Sequence, residues 1–443
     1  MVVGAARSGI AAAELLASRG ARVLLTDMRP SFDDASRLRD LGIELELGGH
    51  RASTLAGADL IVASPGVALE QPVFDEARRR QVETIGELEL ASRWLNGPVV
   101  AITGTKGKST TTTLIGRMLG AAGKKVLVGG NIGVPLSAHV DSSTSDTVHV
   151  VEVSSFQLET VTTFHPWIAL WLNFADDHLD RHPTVAAYAA AKARVFANQT
   201  ADDWAVVNAD DPTVMEMSAG IAAQRVPFSP SGRISNGFVL DGGWIVKRSG
   251  TAVERLVPAT AVELTGRHML HNVIAVAAVS SIAGVPPVAM VEGLKGFRGL
   301  EHVMEPVAEI RGVRFVNDSK ATNVEAARRS IESFDAGVVA IVGGRFKGGN
   351  LRDLREALGS RGRAVIAIGE AAPLVREALA DVVPVIDARS MNDAIARGYE
   401  AAAPDGVVVL APACASFDMF RDYAERGRAF KDAVLALQRN VEA

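Results

Sequence analysis

Val99-Val100-Ala101-Ile102-Thr103-Gly104-Thr105-Lys106-Gly107-Lys108-Ser109-Thr110 is the stretch that decides the fold. An apolar run enters a glycine-turned loop, then Lys and Ser, then residues able to start a helix. Such a strand-to-helix turn holds a nucleotide triphosphate: backbone N–H groups and the helix N-terminus cradle phosphate oxygens. Lys108 reaches the outer phosphates and the Ser109 hydroxyl sits on Mg²⁺, with Gly104, Thr105, Gly107 and Thr110 completing the loop. The full phosphate-loop pattern has a glycine five positions before Gly107, where Ile102 stands, so this loop is short. A turn capped by Ser109 or Thr110 with no ligand is the alternative. It leaves Lys108 without a structural use, so phosphate binding is preferred.

Outward from this loop, short apolar runs alternate with helix-like stretches in three segments, which argues for α/β architecture with parallel sheets covered by helices. The first segment, 1–93, holds Val23-Leu24-Leu25 and Leu60-Ile61-Val62 as strands and Ala11 to Ser18 as a helix. Met1-Val2-Val3 leaves little room for a strand before Gly4. Asn96-Gly97-Pro98 marks a boundary. The second segment, 94–297, carries the phosphate loop, the strands Val148 to Val151 and Ala169 to Leu172, and the helix-like Asn272 to Ala283. Its stretch from Ala205 to Leu264 reads as an antiparallel extension. The third, 298–443, restarts the alternation at Val338 to Val342, Val365 to Ile368 and Val407 to Leu410. Ligands in such sheets sit beyond the carboxyl ends of strands.

A length of 443 residues suits about three domains. With 48% hydrophobic and 22% charged residues the chain is globular, and a net charge of −5 gives no reason to expect nucleic-acid binding. No apolar run is long enough for a membrane span. The N-terminus lacks a signal-type pattern. The single Cys414 excludes an intramolecular disulfide, fits a reducing compartment, and reads as a small buried filler.

Gly4-Ala5-Ala6-Arg7-Ser8-Gly9 with Asp27 resembles a dinucleotide fingerprint whose middle glycine is replaced by Ala6. A phosphate-bearing ligand is favoured over a plain tight turn, and Ser64-Pro65-Gly66 offers N–H groups to the same ligand or is only a turn. Glu152 ends a strand beside the phosphate loop, where an acid usually partners Mg²⁺; a solvated strand-end carboxylate is the alternative. Asp176 to His182 groups acids and imidazoles, and spacing leaves a metal site and a solvated turn equally open. Lys192, in an alanine-rich helix, reads on composition as a surface lysine. In Asn317-Asp318-Ser319-Lys320-Ala321-Thr322-Asn323, Asp318 suits ribose hydroxyls and Lys320 phosphate or carboxylate, against a helix cap by Asp318 or Ser319.

The order of these pieces resembles the Mur ligases across the whole chain. It runs from Gly104–Thr110 through Glu152-Val153-Ser154-Ser155-Phe156-Gln157-Leu158, Asp177-His178-Leu179-Asp180-Arg181 and Ala191-Lys192 to Asp318–Asn323. The Ser-Ser-Phe-Gln and Asp-Ser-Lys-Ala-Thr-Asn segments point to the D-glutamate-adding branch. The resemblance implies a Rossmann-like first domain holding the UDP part of the substrate, a central ATP-binding domain, and a Rossmann-like last domain that brings the amino acid. By position it implies Lys108 and Ser109 on phosphate and Mg²⁺, and Glu152 and His178 as metal ligands. Lys192 matches a lysine whose carbamate ligates metal. Asn272, Asp318 and Lys320 fall on the nucleotide. Ser8, Asp27, Arg29, Ser64, Pro65, Gly66 and Asn131 fall on UDP-N-acetylmuramoyl-L-alanine, and Thr322, Lys347, Ser416 and Tyr423 on D-glutamate. The implied setting is peptidoglycan precursor synthesis in the cytoplasm by a monomer that closes its third domain before chemistry. Val303 stands where the family usually has Arg, and Met269 where it usually has Asn; both departures lie on the nucleotide side. Another Mur ligase, a folylpolyglutamate synthase and a catalytically weakened nucleotide-binding homologue are the competing readings.

Overall fold

Five short strands open the chain: β1 (Val2–Val3), β2 (Leu24–Asp27), β3 (Glu44–Leu47), β4 (Leu60–Ala63) and β5 (Glu83–Gly86). They pair in parallel in the order β3-β2-β1-β4-β5, so two residues suffice for the central strand. The computed structural model describes residues 1–51, 57–177, 181–262, 267–346 and 348–442. Among the described residues the strands form three sheets.

The second sheet contains β6 (Val99–Thr103), β7 (Lys125–Gly130), β8 (Thr147–Glu152), β9 (Ile168–Trp171), β10 (Trp204–Asn208), β11 (Gln224–Ser229), β12 (Asn236–Asp241), β13 (Trp244–Ser249) and β14 (Ala252–Pro258). Their order is β14-β13-β12-β11-β10-β9-β6-β8-β7. β6, β8 and β9 are buried at every residue, which is why β6 and β9 read as near-continuous apolar runs, while β8 also buries Thr147, His149 and Glu152.

The antiparallel reading of 205–264 needs correction over its first half. β10 and β11 run parallel to β9, and β12 pairs parallel with β11. The helix Pro212–Met217, capped by Asp211 accepting from Val214 N, supplies the crossover that a parallel return requires. Antiparallel pairing starts only at the β12–β13 hairpin. There Gly242 and Gly243 have φ of 53° and 78°, the two positive angles that a tight two-residue turn demands.

The chain divides into two compact units, Met1–Phe297 and Arg298–Ala443. The second holds β15 (Glu305–Ile310), β16 (Val313–Asn317), β17 (Val338–Gly343), β18 (Gly362–Ile368), β19 (Val385–Ala388) and β20 (Val407–Leu410). Their order is β15-β16-β20-β17-β18-β19, parallel except for β15. In each sheet the order reverses direction beside a central strand, at β1, β6 and β20. The loops beyond these carboxyl ends are where a doubly wound sheet binds ligands. Among the described residues no helix is long and apolar enough to cross a membrane.

Candidate active site

Four neighbouring strand ends meet at the phosphate loop. Gly104–Gly107 follows β6, Asn131 follows β7, Glu152 ends β8, and Asn173 follows β9. Gly104 takes φ of 150° and Gly107 φ of 81°. The helix Lys108–Ala121 begins at Gly107 with no side-chain cap, so neither Ser109 nor Thr110 acts as one. The N–H groups of its first turn therefore face the loop mouth, an anion cradle. A Cβ on Gly107 would come within 2.7 Å of Asn272 Oδ1, which sets Asn272 directly against the loop. Met269 lies on the same helix as Asn272, Arg267–Ile282.

Ser109 turns its hydroxyl to Glu152 instead, Oγ to Oε2 at 2.6 Å, while Asn131 Nδ2 donates to the other oxygen at 2.7 Å. Glu152 is buried, so the solvated-carboxylate alternative fails. Each carboxylate oxygen thus has one hydrogen-bond donor beside the cradle, a hydroxyl on one and an amide N–H on the other.

Lys192 is not at the surface. It is 1% exposed, and its Nζ donates to Gly104 O at 2.9 Å and lies 4.6 Å from the Tyr188 ring centre. Lys108 Nζ donates to the same Gly104 oxygen at 3.0 Å and to Thr105 O at 3.1 Å. Burial lowers the Lys192 amine to about 7, and the nearby Lys108 charge adds to the shift. The alanines that suggested a solvent face instead let the helix pack closely. His178 lies outside the described residues. Downstream of it, His182 is buried, with Nε2 2.9 Å from Ser155 Oγ and its ring stacked on Phe156.

Two contributors were missed by sequence reading. Asn173 accepts from Thr105 N at 3.1 Å and Lys106 N at 2.9 Å, and so shapes the loop. Tyr188 packs beneath Lys192; its position four residues earlier on one helix was the available signal.

At the first sheet, Asp27 accepts from Ala5 N at 2.6 Å and from Arg29 Nε at 2.8 Å, and Arg29 returns a bond to Ala5 O at 2.7 Å. Burial alone would raise the Asp27 carboxyl, but Arg29 and Ala5 hold it at about 2. Ser64 Oγ donates to Gly4 O at 2.8 Å, fixing the glycine turn that precedes Ser8. Ser64 and Pro65 line a shallow cleft with Glu87, Phe156, Gln157 and Arg181; Gly66 is exposed beside it.

In the second unit, Asp318 does not cap a helix; Asn323 does, accepting from Ala326 N at 2.8 Å. Asp318 is buried, takes bonds from Met304 N and the Ser330 hydroxyl, and burial pushes its carboxyl up. Lys320 is exposed. Thr322 follows on the same loop, and Ala413 N donates to Ala321 O at 3.0 Å, joining that loop to the one carrying Ser416. Tyr423 opens the helix Tyr423–Glu442. Lys347 lies outside the described residues. Cys414 is buried, and burial raises its thiol to about 11, as suits a filler.

Three family models match this chain. They are the MurD-like N-terminal domain of Mur ligases on residues 1–86, the Mur ligase middle domain on 102–280, and the Mur ligase glutamate ligase domain on 304–414. A UDP-N-acetylmuramoylalanine–D-glutamate ligase of Acidobacterium capsulatum is 45% identical over 98% of this chain and 96% of its own length. One of Pelobacter propionicus is 44% identical over 99% of this chain and 98% of its own. Among solved structures, UDP-N-acetylmuramate-alanine ligase of Thermotoga maritima superposes with a TM-score of 0.58 at 18% identity, covering 98% of this chain and 99% of that one. At that identity the likeness concerns the fold.

Proposed function

The chain belongs to the Mur ligase family, and from that premise we propose that it joins D-glutamate to UDP-N-acetylmuramoyl-L-alanine at the expense of ATP, in peptidoglycan precursor synthesis. The observation that carries the chemistry is the convergence of Lys108 and Lys192 on one loop carbonyl at the mouth of an uncapped helix.

Forming an amide from a free carboxylate is uphill in water. In this reading the alanyl carboxylate oxygen attacks the γ-phosphorus and ADP leaves, giving an acyl phosphate. The amine of D-glutamate then adds to the activated carbonyl carbon, passes through a tetrahedral intermediate, gives up a proton and expels inorganic phosphate. Lys108 and the N–H groups of the first helical turn oppose the charge that gathers on the phosphoryl oxygens. Asn272 supports the loop.

Magnesium fits the donors present, because Ser109 and Glu152 bring a hydroxyl and a buried carboxylate to one point. Bound there, it would offset phosphate charge. An amine titrating near 7 is partly neutral under physiological conditions. Lys192 is thus able to take up CO₂ as a carbamate, releasing a proton and presenting oxygen donors. We assign Ser8, Asp27, Arg29, Ser64, Pro65, Gly66 and Asn131 to the UDP substrate, and Asp318 and Lys320 to the nucleotide. Thr322, Ser416 and Tyr423 go to the two acids of D-glutamate. His178 and Lys347 join the metal and amino-acid sets on the family pattern alone. Action in the cytoplasm as a monomer belongs to the same reading.

Phosphate release by the purified protein should require both UDP-N-acetylmuramoyl-L-alanine and D-glutamate. L-glutamate, L-lysine and meso-diaminopimelate serve as controls. Release that ignores D-glutamate, or that follows a control amino acid instead, overturns the assignment.

A further inference from the structure

Arg426 is 2% exposed, and all of its hydrogen-bond acceptors among the described residues are uncharged oxygens. Its Nε donates to Ser319 Oγ at 3.0 Å, its Nη2 to Ser319 O at 2.9 Å, and its Nη1 to Cys414 O at 3.0 Å. Ser319 Oγ in turn donates to Tyr423 O at 2.7 Å. One rigid guanidinium thus spans the loop after β16, the loop after β20 and the start of the last helix. A cation is costly to bury without an ion partner, and this one keeps its charge, lowered by burial only to about 10. Core packing alone would be served by an apolar side chain.

The same three segments carry Thr322, Ser416 and Tyr423. A second fastening reaches Tyr423 from the other side. Asn317 Oδ1 accepts from Ser319 N at 3.1 Å, and its Nδ2 lies 2.9 Å from His302 Nδ1 and donates to Glu305 Oε2 at 2.9 Å. The His302 ring meets Tyr423 edge-on at 6.2 Å between centres.

We infer that Arg426 is a positioning residue for the incoming amino acid: it holds the Thr322, Ser416 and Tyr423 loops in one register through a fork that a lysine cannot reproduce. This deepens the function proposed above and rests on its amino-acid site, although not on which amino acid is used.

The test is steady-state kinetics of full-length Arg426→Lys, with each substrate varied in turn. The KM for the amino acid that drives phosphate release in the wild type should rise at least tenfold, with the KM for the UDP substrate unchanged and kcat within about threefold. Ser319→Ala, which removes one acceptor and leaves the charge in place, should raise the same KM by about threefold to fivefold and serves if Arg426→Lys does not fold. An unchanged amino-acid KM in a folded variant overturns the inference. So does a loss of kcat that only tracks the folded fraction. If the wild type responds to a control amino acid rather than D-glutamate, the function fails separately, and the KM comparison is then made on that amino acid.

Discussion

Replacing Lys192 by Met should make the protein more stable at pH 6.5 while it loses activity. The ammonium is 1% exposed and titrates at about 7 rather than 10.5. The folded state therefore binds fewer protons than the unfolded chain between those values, and wild-type stability rises with pH across the window from about 7 to 10.5. Below 7 both states are charged and the full penalty is present. At about 1.4 kcal/mol per pH unit the gap amounts to about 5 kcal/mol. Methionine keeps the aliphatic stem. It gives up one hydrogen bond, worth about 1 kcal/mol; the attraction of the ammonium to the Tyr188 ring is already contained in the shifted pKa. Gly104 O keeps Lys108 as a donor. The net gain is about 4 kcal/mol, and at roughly 2 °C per kcal/mol for a unit of this size the melting temperature rises by about 8 °C. Thermal melts in decarbonated buffer at pH 6.5 and pH 10 test this, because at the higher pH the penalty has largely gone and the two proteins should melt at nearly the same temperature. Activity should fall at least ~100-fold if Lys192 takes part in charge stabilisation. Addition of short carboxylic acids to Lys192→Ala should restore part of it if a carbamate is the working form. A Met variant that melts below the wild type at pH 6.5, or melting curves that stay parallel with pH, would refute the reasoning.

Glu152→Gln preserves the shape that receives Ser109 and Asn131 but removes the charge. It should melt within a few degrees of the wild type and need far more magnesium for any phosphate release, a fall of ~100-fold or more at fixed metal. Gly107→Ala forces a side chain onto φ of 81° with its Cβ 2.7 Å from Asn272 Oδ1. Its KM for ATP should rise at least ~10-fold while the KM for the UDP substrate holds. Glu89 has a fully buried side chain that accepts from Thr162, Thr163 and Phe164; burial raises its carboxyl, and these bonds, with Thr163 foremost, bring it down to about 2 from 4.5. The stabilisation it gives is complete above pH 4.5 and drains as pH falls toward 2, about 3 kcal/mol in all. Acid titration by circular dichroism should show Glu89→Gln with a shallower slope there than the wild type.

Sequence exposed what is local and hid what is not. The βα turn at 104–110 is legible because a strand, glycines, Lys and Ser must be adjacent in the chain to form it. Glu152 and Asn131 are legible as strand-end residues, although their meeting on Ser109 depends on β7 and β8 lying next to β6. Lys192 was misjudged because an alanine-rich helix looks alike whether its lysine faces water or a buried carbonyl 88 residues away. Asp318 looked like a cap because a cap and a buried acceptor use the same residue types; the cap is Asn323, whose backbone is extended at φ −133° and ψ 165°. The stretch after Ala205 looked antiparallel since its glycine-rich hairpin dominates the pattern, while the short crossover Pro212–Met217 carries a weak signal. Arg426 gave none, because nothing within one turn of helix shows which distant carbonyls it will reach.

The shared carbonyl of Gly104 explains why the loop tolerates two lysines. Each Nζ lies within 3.0 Å of the same oxygen, so the two ammonium groups are held close in a poorly solvated space. Repulsion between them can be relieved in two ways: one lysine loses its proton, or one finds an anion. Lys192 is enclosed by Tyr188 and its own helix, and bears the loss; Lys108 is only part-buried and sits at the helix mouth, where on the proposed function an anion would arrive. A phosphate oxygen can replace the carbonyls as acceptor for Lys108 without stranding Gly104 O, because Lys192 still donates to it. The neutral amine keeps that bond, since it needs only one N–H. The burial that makes Lys192 expensive is thus the feature that lets Lys108 leave the loop for a ligand at small cost, and the two residues are best regarded as one device in which the buried partner holds the backbone and the accessible partner moves.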